Sequence, residues 1–182
     1  MTRVTGVDLS LTGTGLCVAE PGDPTGDSVT VVTAKPPKGL ADLPRLRWLR
    51  GEVVAACEES DLVVLEGLAF STRTGKASER AGLWWLVVDA LDALNIPVAV
   101  MPPASVKTYA TGKGNADKDT VLADTVRRYP SVLVRDNNQA DALVLAAAGL
   151  DHTGAPLTTL PATHRRALTG VAWPTTPTGA DT

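Results

Sequence analysis

Three acidic residues stand where the surrounding sequence is apolar. Asp8 lies within VTGVDLSLTGTG, whose β-branched and small residues predict a buried strand running into a turn. Glu66 closes the apolar run DLVVLE, and Asp141 sits in a helical pattern whose residues 140–150 carry no other charge. A carboxylate taken out of water is costly unless it is paired, protonated or bound to a cation. Any one of these acids is explained as a turn former or a cap. Three on different elements are the donor set of a hard divalent ion, since Mg²⁺ binds through a few carboxylates together with water and phosphate oxygens. Asp8 alone also fits the glycine-flanked phosphate loop of actin-like ATPases and sugar kinases. That reading needs a second glycine-rich nucleotide motif, which the 182 residues lack.

Basic residues gather in two segments. Lys107, Lys113 and Lys118 are half of all the lysines and fall within twelve residues. Together with Arg127 and Arg128 they outnumber Asp117, Asp119 and Asp124 over residues 107–128, and Gly112 and Gly114 let the backbone approach a phosphate closely. The loop after Glu66 carries Phe70, Arg73, Lys76 and Arg80 against the single acid Glu79. An exposed aromatic in a basic loop suits stacking on an unpaired base. TGKAS in this loop is not a nucleotide-binding P-loop, because Phe70 stands where its first glycine belongs and Ala77 replaces the Ser/Thr. No nucleotide cofactor is expected.

The elements that must position these groups can be read from periodicity. Residues 3–9, 14–20 and 28–34 predict three strands in an antiparallel meander, and 44–60 a helix with Leu46, Leu49, Val53 and Cys57 on one face. A strand over 62–65, a polar loop over 70–80 and a helix over 81–94 follow. A strand over 98–101 stops at Pro102-Pro103, and helices are expected over 105–110, 116–129 and 137–150. The order βββαβαβα predicts a mixed sheet with helices on both faces. In helix 81–94, Leu83, Val87, Ala90 and Leu94 can cover the sheet, leaving Trp84, Trp85, Val88 and Leu91 for another partner. That partner is either a second copy of the chain or the C-terminal tail with Trp173. Trp48 reads as a packing residue, and His152 and His164 have no ligand spacing. The last thirty residues are rich in Thr, Pro and Gly; only LPATHRRAL suggests a helical turn, and disorder is expected from Thr175.

Composition sets outer bounds. A charge of -3 excludes a wholly basic coat protein for nucleic acid, though not a local basic groove. No apolar run reaches the roughly 18 residues of a membrane span, and the chain opens on a strand pattern without a charged-then-apolar leader. Cys17 and Cys57 lie in apolar surroundings with no metal-ligand spacing. A reduced, cytoplasmic protein is expected.

Four segments, GVDLSLTGTG, VVLEG, VKTYATGKGNADKD and NNQADALVLA, are similar to the RuvC family of Holliday-junction resolvases within the RNase H-like superfamily. The chain looks most like the short versions carried by phages. The third segment is the most specific, with VK, then GKG, then A-x-K. The resemblance runs over about residues 3–150. It implies an α/β, RNase H-like nuclease domain over 1–150, a five-stranded mixed sheet of order 3-2-1-4-5 with helices on both faces, and a partly disordered C-terminal extension over 151–182. It places catalytic roles on Asp8, Glu66 and Asp141, with Asp8 bridging two Mg²⁺ ions for which Mn²⁺ would substitute. It further implies that Lys107 and Lys118 hold the phosphodiester or stabilise developing charge. DNA contacts are expected from Phe70, Arg73, Lys76, Arg80, Lys107, Lys113 and Lys118.

One departure stands out. The family usually has a second acid or a histidine where this chain has Asn138. Asn138 could serve as a neutral metal ligand; Asp136 could reach the metal, or could instead cap the helix. The expected function is metal-dependent resolution of four-way DNA junctions by paired nicks from a homodimer. The alternatives are a nuclease for flaps, forks or displacement loops, and a junction-binding protein that does not cut.

Overall fold

In the computed structural model, residues 2–22, 28–68 and 76–175 are described. The strands are β1 (Val4–Asp8), β2 (Thr14–Ala19), β3 (Val29–Ala34), β4 (Leu62–Glu66) and β5 (Val98–Met101). The helices are α1 (Asp42–Cys57), α2 (Ala77–Ala93), α3 (Pro103–Thr111), α4 (Lys118–Arg128), α5 (Asn137–His152) and the short α6 (Ala162–Arg165), which runs into a 3₁₀ turn, Arg166–Gly170. The strands form one sheet of order β3-β2-β1-β4-β5, as expected. The first three pair antiparallel, and β4 and β5 lie parallel to β1.

Helices cover both faces. On one, α3, α4 and α5 close a core that includes Val4, Cys17, Val64, Met101, Tyr109 and Leu143; on the other, α1 and α2 cover Val7, Leu16, Leu49, Val53, Leu65 and Leu83. Residues alternate between these faces along β1 and β4, because side chains on a strand repeat every second position. Val4 and Val64 point to the α5 side, whereas Val7 and Leu65 point to the α1–α2 side.

α5 is buried along nearly its whole length, which explains why residues 142–150 are Ala, Leu, Val and Gly. It rests directly on the sheet backbone. A Cβ at Gly6 would stand 2.1 Å from the Ala142 carbonyl oxygen, and one at Gly15 would stand 2.0 Å from that of Asn138. Only hydrogen fits at either place.

Two expectations about packing are corrected. The stripe of α2 that meets the sheet is Leu83, Val87 and Leu91, while Leu94 lies at the C-terminal cap and is exposed. Spacing by fours carries the stripe through Leu91, and Leu94 falls outside the helix. Trp173 does not cover α2. It packs against the α3–α5 core and stacks on His152, because Ala172 bridges to Val100 at the sheet edge. Trp85 on α2 is 62% exposed, and its ring meets Trp84 edge-on at 4.9 Å. The helical turn expected in LPATHRRAL is α6. The expectation of disorder from Thr175 falls almost wholly on residues 176–182, outside the described ones. Among the described residues, no helix is long and apolar enough to cross a membrane.

Candidate active site

The register of β1 against β4 sets Val7 beside Leu65, so Asp8 and Glu66 end two neighbouring parallel strands. Even-numbered positions on both strands face α5, and both acids therefore point to the side on which α5 carries Asp141. The Asp8 and Glu66 carboxyl groups are near enough to perturb each other's ionisation. Asp8 is buried, and burial raises its pKa; Glu66 and Asp141 are half-buried. Burial, followed by the charges of Asp8 and Asp141, pushes Glu66 up to about 8. Burial and the Asp8 charge push Asp141 up to about 7.

Three carboxyl groups raised by burial, with the charge of Asp8 raising both Glu66 and Asp141, favour either bound protons or a cation. Among the described residues, no three Asp, Glu, His or Cys side chains are arranged so that they could hold a metal ion as they stand. The donor chemistry nonetheless fits one: hard oxygen ligands that repel one another when ionised.

Lysines border this cluster. The charge of Lys118, at the first turn of α4, pulls Asp8, Glu66 and Asp141 back toward ionisation, and that of Lys107 on α3 acts on Asp141. Lys113 lies exposed in the loop joining α3 to α4. Lys76 and Arg80 start α2, where Lys76 stands 3.9 Å from Glu79. Phe70 and Arg73 lie outside the described residues.

Asp136 is the N-cap of α5, its side chain accepting from the Gln139 amide at 2.9 Å and from the Thr33 hydroxyl at 2.8 Å. Its charge still raises Asp8. Asn138 donates through Nδ2 to the Gly13 carbonyl at 2.7 Å, which ties the start of α5 to the β1–β2 turn. The sequence reading missed Trp84, whose indole N–H donates to the backbone carbonyl of Glu66 at 3.1 Å and fixes the end of β4. A tryptophan N–H needs a partner when covered, but nothing in the spacing says which. Thr33 was also missed; its hydroxyl accepts from Gln139 Nε2 at 3.1 Å while donating to Asp136.

No protein-family model matches the chain. It is 34% identical over 152 residues to the crossover junction endodeoxyribonuclease RuvC of Rhodococcus opacus (strain B4), covering 79% of this chain and 78% of that one. The chain belongs to the RuvC family. A second RuvC, from Synechococcus sp. (strain WH7803), is 35% identical over 65 residues, or 35% of this chain and 42% of that relative's length. The RuvC fold is likewise apparent in the Thermus thermophilus RuvC structure, with a TM-score of 0.65 at 21% identity, over 85% of this chain and 98% of that one. Dependence on a divalent metal is general to RuvC-type nucleases.

Proposed function

We propose that this RuvC-family chain is a structure-selective DNA endonuclease that resolves four-way junctions as a homodimer in the cytoplasm. The observation that carries this reading is the meeting of Asp8, Glu66 and Asp141 at one sheet end with Lys107 and Lys118 beside them. The nuclease domain is read as residues 1–150, with 151–182 as an extension. Asp8, Glu66 and Asp141 would hold two Mg²⁺ ions, with Asn138 or Asp136 completing the set. Bound there, the metal supplies an activated water and neutralises charge on the attacked phosphate.

The chain's own groups do the rest. The charge of Asp8 acts on both other acids, so the three would be ionised together when they hold a cation. Lys107 and Lys118 take the scissile phosphodiester from one side and stabilise the charge that develops on its oxygens. Lys113, Lys76, Arg80, Arg73 and Phe70 hold the flanking strands through phosphates and one base face. The sequence offers no base-reading helix, so selectivity rests on the shape of the branch.

The test is nicking of a synthetic four-way junction, a fork and a linear duplex, by wild type and by Asp8→Asn. Paired nicks in the junction alone, lost by at least about 100-fold in Asp8→Asn, are expected. Binding without cutting by both proteins, in Mg²⁺ and in Mn²⁺, would overturn the enzyme reading.

A further inference from the structure

The loop between Lys107 and Lys118 is held by side chains of α4 and of the C-terminal segment. α3 ends at Thr111, and Gly112 follows with a left-handed φ of 77°. The last carbonyls of a helix have no partner within it and carry partial negative charge. Here they meet side chains from distant parts of the chain. Arg128 Nη1 donates to the Ala110 carbonyl at 2.6 Å. His164 Nδ1 donates to that of Tyr109 at 2.9 Å, and Arg166 Nη2 to that of Gly112 at 3.1 Å. The His164 ring lies so close that a Cβ at Gly112 would stand 3.2 Å from its Nε2.

His164 and Arg166 belong to the segment of α6 and the following 3₁₀ turn, which is fastened on both sides of this contact. Arg165 pairs with Asp151, which is 3% exposed, through Nη2 at 2.9 Å and Nε at 3.1 Å; the Tyr109 hydroxyl lies 3.2 Å from the same carboxylate. Further on, Ala172 bridges to Val100 and Trp173 stacks on His152 at 4.0 Å. A surface tail would not be tied down at three places.

We infer that the segment Ala162–Gly170 is a positioning element, in which His164 and Arg166 hold the α3 C-terminus and the Gly112 loop so that Lys107 and Lys118 keep their spacing over the acid cluster. The inference rests on the proposed role of those two lysines. A bordering lysine displaced by about 1 Å can cost up to about 100-fold in rate without altering how tightly DNA is held. Arg166 is exposed, so direct contact with a DNA phosphate is the competing explanation.

The experiment uses the full chain and compares wild type, Arg166→Ala, Arg166→Lys and His164→Ala. It measures single-turnover nicking of a four-way junction, junction affinity across a salt series, and amide hydrogen exchange over residues 112–118. Arg166→Ala is expected to slow nicking by about tenfold with affinity and salt slope unchanged, and to speed exchange in the loop. Arg166→Lys, which can still donate to the Gly112 carbonyl, restores both, and His164→Ala repeats the pattern if it folds. A weaker affinity with a salt slope reduced by about one, at unchanged cutting rate, makes Arg166 a phosphate contact and overturns the inference. Equal cutting by wild type and Arg166→Ala overturns it alone, whereas a wild type that binds but never cuts overturns the nuclease reading as well.

Discussion

Asp8 and Glu66 end two adjacent parallel strands, and the charge of Asp8 is one of the causes that push Glu66 up. Burial raises the pKa of both carboxyl groups. Both groups bind protons more tightly folded than unfolded, so this contribution to stability is complete below the unfolded carboxyl pKa and is lost as pH rises through the folded values. For Glu66 that window runs from 4.5 to about 8, and for Asp141 from 3.8 to about 7. With EDTA present, the melting temperature is therefore expected to fall as pH rises across this range. Glu66→Gln should flatten the fall, and added Mg²⁺ should reverse it most at the alkaline end. Calorimetry across a pH series checks this; a melting temperature that climbs toward pH 8 in EDTA contradicts it.

Gly6 and Gly15 let α5 lie on the sheet closely enough to bring Asp141 to Asp8. An alanine at either place drives a methyl into backbone, which cannot rotate away as a side chain would. Gly15→Ala is expected to cost about 1–3 kcal/mol or more in urea unfolding and to lower nicking in the fraction that remains folded. Asp141 moves with the helix, so the loss of nicking should exceed the loss of folded protein. A Gly15→Ala variant as stable and active as wild type would show that α5 has room to shift without disturbing the acids.

The placement of the acids was legible because each stood in an apolar run, and period two along β1 and β4 sends Asp8 and Glu66 to the same face. The sheet order needed the resemblance to RuvC, since short strands do not announce their neighbours. The α2 stripe was not legible: with apolar residues around most of the helix, spacing alone could not choose Leu91 over Leu94. Trp84 was hidden for a related reason. Its apolar body explained its presence, and the N–H that holds the Glu66 carbonyl left no pattern. The capping role of Asp136 was open in the sequence, and the Thr33 partner that secures it comes from a strand 103 residues away.

Lys118 acts on all three acids, drawing each back toward its ionised form. Without that charge their pKa values rise further, and a cation must displace protons held more firmly. Lys118→Met is expected to move the acidic limb of the pH–rate profile to higher pH and to lower nicking at pH 7 by roughly 100-fold, the scale for losing one group that stabilises transition-state charge. Raising the pH should recover part of the rate, namely the part due to protonation. An unshifted limb with a lower plateau would assign Lys118 to the phosphate alone.

Trp85 is the largest apolar side chain left in water by the described residues, on a helix whose other face is spent on the sheet. Trp173 is not its cover, being held on the opposite face of the sheet. Under the homodimer proposal this face of α2 meets its copy, where a buried charge without a partner would be costly. Trp85→Glu is expected to give a monomer by light scattering while changing the stability of the fold by no more than about 1 kcal/mol, since Trp85 is largely exposed and loses an edge-on contact with Trp84. The same variant should nick junctions singly instead of in pairs, because each acid cluster would act without a second one fixed beside it. A Trp85→Glu protein that stays dimeric would move the interface to another face.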